Sequence, residues 1–177
     1  MSQKLLFIII NLVFGSILLY TYYKGVTNNP EIAAKLWGGV PIYLTKYIII
    51  SMFLGAIGYF FFTYYLIFKV DHETMLVINK YNFQLFIILY LLILIPSCMW
   101  IDLSIYYIIS QNPLIWKLIV LVLYTVGISS LVLLLSLLNI NSNDGSTLYK
   151  LAVIGCTLFT FHTLFLDGLL WTIFFHK

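Results

Sequence analysis

Five apolar runs, each about 20 residues or longer, decide what this chain can fold into. They cover about Lys4–Tyr23, Tyr43–Val70, Asn82–Ile109, Leu114–Asn139 and Tyr149–Phe175. A chain that is 63% hydrophobic and 8% charged, with mean hydropathy +1.06, would have to turn apolar surface to water if it were a soluble globule. Its solvent is therefore lipid. Only helices and closed barrels satisfy every backbone group in lipid, and barrel strands would alternate polar and apolar residues. The runs are continuous instead. The expected fold is an all-α membrane protein: one polytopic domain over residues 1–177, a bundle of five transmembrane helices, with a short amphipathic helix in the first loop.

That helix is read from Asn29-Pro30-Glu31, where Pro takes the first helical position and Glu the first turn. Glu31 and Lys35 are four apart, and Gly38-Gly39 ends the turn. Ile32, Leu36 and Trp37 give the segment an apolar side. It is expected at the membrane interface, as a lid on the bundle or as a connector. The first run has the outline of a signal peptide behind Lys4. It lacks a small-x-small cleavage site, and Tyr20, Tyr22, Tyr23 and Lys24 read as an interfacial anchor, so it is taken as a retained span.

With the N-terminal side called A and the opposite side B, four lysines flank side A (Lys4, Lys69, Lys80, Lys150) and five flank side B (Lys24, Lys35, Lys46, Lys117, Lys177). This near balance sets no orientation, and no particular membrane is indicated. The net charge of +3 is spread out, with no basic run for nucleic acid. All nine basic residues are Lys, which excludes an Arg-rich voltage sensor and a bidentate Arg clamp. The many Tyr, Phe, Ile, Asn and Lys residues fit AT-rich coding as well as any ligand cage. No P-loop, His-Glu-x-x-His, Gly-x-Ser-x-Gly or Cys-x-x-Cys motif occurs, and no mid-span Lys could carry a Schiff base. Nothing designates a metal or a cofactor. An enzyme is the minority reading.

Two aspartates point at function. Asp102 lies in the third run and Asp167 in the fifth, and a carboxylate in hydrocarbon costs about 2.5–3.5 kcal/mol on insertion scales. Both runs pass from side A to side B, and both residues fall about 10–12 Å from the B-side end at ~1.5 Å per residue. They are expected at one level, able to face each other if the third and fifth spans touch. In the fifth span Ala152, Cys156, Thr160, Thr163, Asp167 and Trp171 share one helical stripe. His162, five positions before Asp167, is about 140° away on an ideal α-helix and so is expected to reach a neighbouring span. In the third span Pro96 kinks the helix near Asp102, Cys98 shares its face, and Trp100 needs a partner that an aspartate could supply. Ser51/Gly55 reads as helix packing.

The candidate site is therefore Asp102, Asp167, His162, Trp100, Cys98, Thr163 and Thr160, for ligand binding or proton relay. The function expected is binding or carrying of a small apolar or amphipathic molecule, or a lipid, between the third and fifth spans. Proton or ion conduction, a lipid-modifying enzyme, and a structural subunit are the alternatives. The expected partners are the bilayer and, through small-residue faces, further copies of the chain. In length and span count the chain resembles the translocator-type proteins, a five-span tryptophan-rich family. Leu36-Trp37-Gly38-Gly39-Val40-Pro41 stands where that family has a Trp- and Pro-rich first loop. The resemblance is architectural and carries no residue roles.

Overall fold

The computed structural model describes residues 2–141 and 144–176. Its helices are α1 (Gln3–Asn28), α2 (Pro30–Ala33), which runs on into a 3₁₀ turn at Ala34–Trp37, α3 (Ile42–Phe68), α4 (Gln84–Ser110), α5 (Pro113–Leu138) and a composite fifth span. That span consists of α6 (Thr147–Thr160), a π-helical segment Phe161–Trp171, and the closing turn α7 (Thr172–Phe174). Five helices are long and apolar enough to cross a membrane, so the chain is a multi-pass membrane protein with a short extra helix in the first loop.

Local chemistry sets several of the ends. Ser2, Asn112 and Ser146 cap α1, α5 and α6 by accepting from the backbone N–H groups of Leu5, Leu114 and Tyr149, which would otherwise be orphaned. Pro113 opens α5 at a position where its missing N–H costs nothing. α4 stops where Gln111 turns left-handed, at φ 52°, and the short turn that follows makes α4 and α5 antiparallel neighbours. Inside α4, Pro96 cannot donate to the carbonyl four residues back. Ser97 beside it donates its hydroxyl to the Ile93 carbonyl at 2.6 Å.

Around the bundle the order is α1, α4, α5, the fifth span, α3. α3 packs along α6, and α5 beds on α6 and the π segment, whereas α1 meets α3 only thinly. α1 is the most peripheral span: 11% of its most apolar window is buried, against 28% to 44% for the others. Glycines fix the two faces of the fifth span. A Cβ at Gly58 of α3 would land against the carbonyl oxygen of Gly155 and 2.7 Å from its Cα. A Cβ at Gly127 of α5 would lie 2.8 Å from the Cα of Leu164. Such approach is how helices gain dispersion contacts where lipid removes the hydrophobic drive.

The two halves of the bundle differ. On the A side the centre is filled by rings: Phe7, Phe62, Phe83, Phe86 and Tyr90 are all at most 1% exposed. Phe7 and Tyr90 meet edge-on with centroids 4.4 Å apart. The Tyr90 and Thr63 hydroxyls are 2.8 Å apart, and Tyr59 donates to the side-chain oxygen of Asn11, joining α3 to α1. The A-side loops close over this core, with Val77 bridging Tyr81 and Ile140 and Met75 fully buried. His72 lies edge-on to Phe83 at 4.3 Å, its Nε2 buried without a partner.

The B end is closed by the first loop. Leu36 packs with Ile101 and Ile105 of α4. Trp171 Nε1 donates to the Leu36 carbonyl at 2.8 Å, and the Gly39 N–H donates to the Phe175 carbonyl at 3.2 Å. Trp37, Trp100, Trp116 and Trp171 gather in one cluster there. The amphipathic segment is thus a lid seated on the bundle end.

Two outcomes are expected from this packing. Gly58→Ala should destabilise the bundle by about 1–3 kcal/mol by forcing α3 off α6, read as a lower unfolding midpoint in one detergent. For His72, burial and, secondarily, the charge of Lys4 hold the imidazole below its ordinary value. The unfolded chain therefore takes the proton first, at about pH 6.5. Stability should be full above that pH and decline as pH falls below it. In His72→Phe, thermal unfolding at low pH should lose part of that decline.

Candidate functional site

The fifth span is not α-helical where it matters. Over Phe161–Trp171 the backbone is π-helical, and an i→i+5 repeat brings residues five apart onto one face. His162 and Asp167 are such a pair. Their separation of about 140° on an α-helix is removed, and His162 Nε2 lies 3.4 Å from Asp167 Oδ2. That is ion-pair reach and long for a hydrogen bond. The expectation that His162 reaches a neighbouring span is therefore corrected: its partner lies on its own span. A Cβ at Gly168 would sit 3.3 Å from the Thr163 carbonyl, five residues back, so the widened turn is crowded there as well.

Asp167 is half-buried, with 35% of its side chain accessible. Tyr22 of α1 is within electrostatic reach of both Asp167 and Cys98. Tyr22 stacks on Trp100 with centroids 5.8 Å apart, and Trp100 meets Trp171 edge-on at 5.7 Å. The third and fifth spans thus meet across the bundle through these indoles, although their backbones do not pack side by side. Cys98 donates to the Phe14 carbonyl of α1 at 3.4 Å.

Among the described residues, three polar atoms in the B half are buried without a hydrogen-bond partner: Trp100 Nε1, Ser104 Oγ and His162 Nδ1. Each such group costs about 1–3 kcal/mol unless water or a ligand satisfies it. The aspartate expected to pair with the Trp100 indole does not do so. Two surface grooves, one lined by Phe60, Phe61, Tyr64 and Leu148 and one at Asn28–Ile32, lie away from these residues.

The other candidates fall elsewhere. Asp102 is exposed on the outer face of α4, so the two aspartates share a level but not a site. Thr160 and Thr163 belong to the seam with α5. Thr160 donates to the Ser130 carbonyl at 3.0 Å, and the Thr163 and Ser130 hydroxyls are 2.8 Å apart. Gly55 faces Phe159 and His162 at ordinary contact distance, as packing requires. Sequence reading missed Tyr22 and Ser104. Tyr22 looked like an interfacial anchor, but Asn11, Phe14, Leu18, Tyr22 and Gly25 repeat every three or four residues, the spacing of one helix face. Among the described residues no three His, Cys, Asp or Glu side chains converge as metal ligands would.

Removing the lid's main tie should loosen it. Trp171→Phe leaves the Leu36 carbonyl without its donor, at a cost of about 1 kcal/mol. Faster amide exchange across Lys35–Val40, with α5 unaffected, is the expected result.

Compared with known proteins, the chain matches no family model, no curated protein and no solved structure.

Proposed function

We propose that this membrane protein binds or carries a small apolar or amphipathic molecule beside Asp167, in the B half between the third and fifth spans. The observation that carries the reading is Asp167: a carboxylate within a membrane span, set 3.4 Å from His162 by π geometry and still accessible. Around it, unpaired Trp100 Nε1 and His162 Nδ1 offer a donor and a second polar atom. Aromatic rings of Tyr22, Trp100 and Trp171 supply the apolar wall. A polar head anchored by few groups among apolar ones is the usual composition of such a site. Entry would require the first-loop lid to lift or α1 to swing from α3, which it meets only thinly.

Conduction across the membrane fits less well. A proton or ion path would have to continue through the A half, where Phe7, Phe62, Phe83, Phe86 and Tyr90 fill the centre. With the A-half centre filled, binding, or carriage by a conformational change, fits better than a continuous pore.

Trp100 and Trp171 make the site its own reporter. In a Trp37→Phe, Trp116→Phe background, a bromine-bearing alkyl alcohol should quench the remaining fluorescence along a saturable curve. Asp167→Asn should weaken that binding about tenfold, the scale of one hydrogen bond to a charged group. Quenching that rises linearly with probe in both proteins, as simple partitioning into detergent would produce, would sink the reading.

A further inference from the structure

Asp102 needs a separate account. Along α4, Ile88, Leu92, Ile95, Met99, Asp102 and Tyr106 are spaced four, three, four, three and four, and all six face outward. That is the period of a helix–helix seam. α4 lies between α1 and α5, so the stripe runs down the face that neither covers. Asp102 interrupts it about 12 Å from the B-side end of α4, too deep for a short side chain to reach the interface. Among the described residues no hydrogen bond or ion pair reaches its carboxylate. An intramembrane carboxylate usually faces a partner, and among the described residues Asp102 has none.

We propose that this face of α4 docks a transmembrane helix of another protein that presents a Lys or Arg side chain at the depth of Asp102. Charge complementarity selects the occupant. A second copy complements the face poorly, because two-fold pairing through α4 would set one Asp102 against the other. The chain's nine basic residues are all Lys, and those in the spans lie near span ends, so a copy brings no cation to this depth. A purely apolar helix would match the stripe but leave the carboxylate unpaired. A basic side chain flanked by aliphatic residues satisfies both. The docking face is distinct from the surroundings of Asp167, since Asp102 is exposed on the outer face of α4.

The test uses the full chain, labelled and reconstituted in lipid vesicles, with three Leu-rich transmembrane peptides carrying Lys, Glu or Leu about 12 Å from one end. Energy transfer from protein to peptide should show association about tenfold tighter for the Lys peptide than for the other two. That preference should vanish in Asp102→Leu and shrink in Asp102→Asn. Asp102→Leu should fold, because it only extends the lipid-facing stripe. Equal association of all three peptides, or a Lys preference that survives Asp102→Leu, overturns the proposal. Transfer between two copies of the protein that disappears in Asp102→Leu would assign the face to self-association and overturn it equally.

Discussion

The backbone contacts of the fifth span are the constraint from which the site follows. Gly58 of α3 meets Gly155 on one face, and Gly127 of α5 meets Leu164 on another. A span held at two backbone contacts cannot rotate to suit its side chains. Its rotation about the axis is set before the polar residues are placed. The hydroxyls of Thr160 and Thr163 then settle into the α5 seam with Ser130. What remains is the face beyond them, and there the helix changes from α to π. The change turns His162 and Asp167 to one side, and that side looks into the bundle toward Tyr22 and Trp100.

Two carboxylates at nearly the same depth meet opposite surroundings. Asp167 lies among rings and an imidazole, and Asp102 lies on the surface that lipid covers. The difference is one of helix phase alone. In water such a difference would be strongly enforced, since a helix turns its apolar stripe to the core. In lipid the outside is as apolar as the inside, and hydrophobicity ceases to distinguish them. A polar residue on the outer face is then unexplained by the monomer, whereas in a soluble protein it would be ordinary.

The same physics sets what could be read from the sequence. Span number follows from residue counts, and it holds. The short amphipathic helix was legible from Asn29-Pro30-Glu31, Gly38-Gly39 and the apolar side of the segment, but its seating as a lid rather than a connector was not. Rotation was not legible, because Leu and Ile occupy both faces of α4, and only coordinates tell that Ile101 points in while Asp102 points out. The π segment was not legible either. Ideal α phase placed His162 away from Asp167, and no residue pattern announces an i→i+5 repeat. Tyr22 was misread for a related reason: near a span end, an aromatic residue that anchors at the interface and one that turns inward have the same composition.

The asymmetry of the two halves bears on how a ligand could move. In the A half, rings close the centre and Tyr59 ties α3 to α1 through Asn11. In the B half, α1 leans on α4, with Gly25 set against Ile101, and the lid hangs on Trp171 and Phe175. Motion is therefore cheapest at the B end, where fewer apolar contacts must open. Trp171, which holds the lid through the Leu36 carbonyl, also meets Trp100 edge-on. Lid closure and the indole contact between the third and fifth spans therefore run through one side chain.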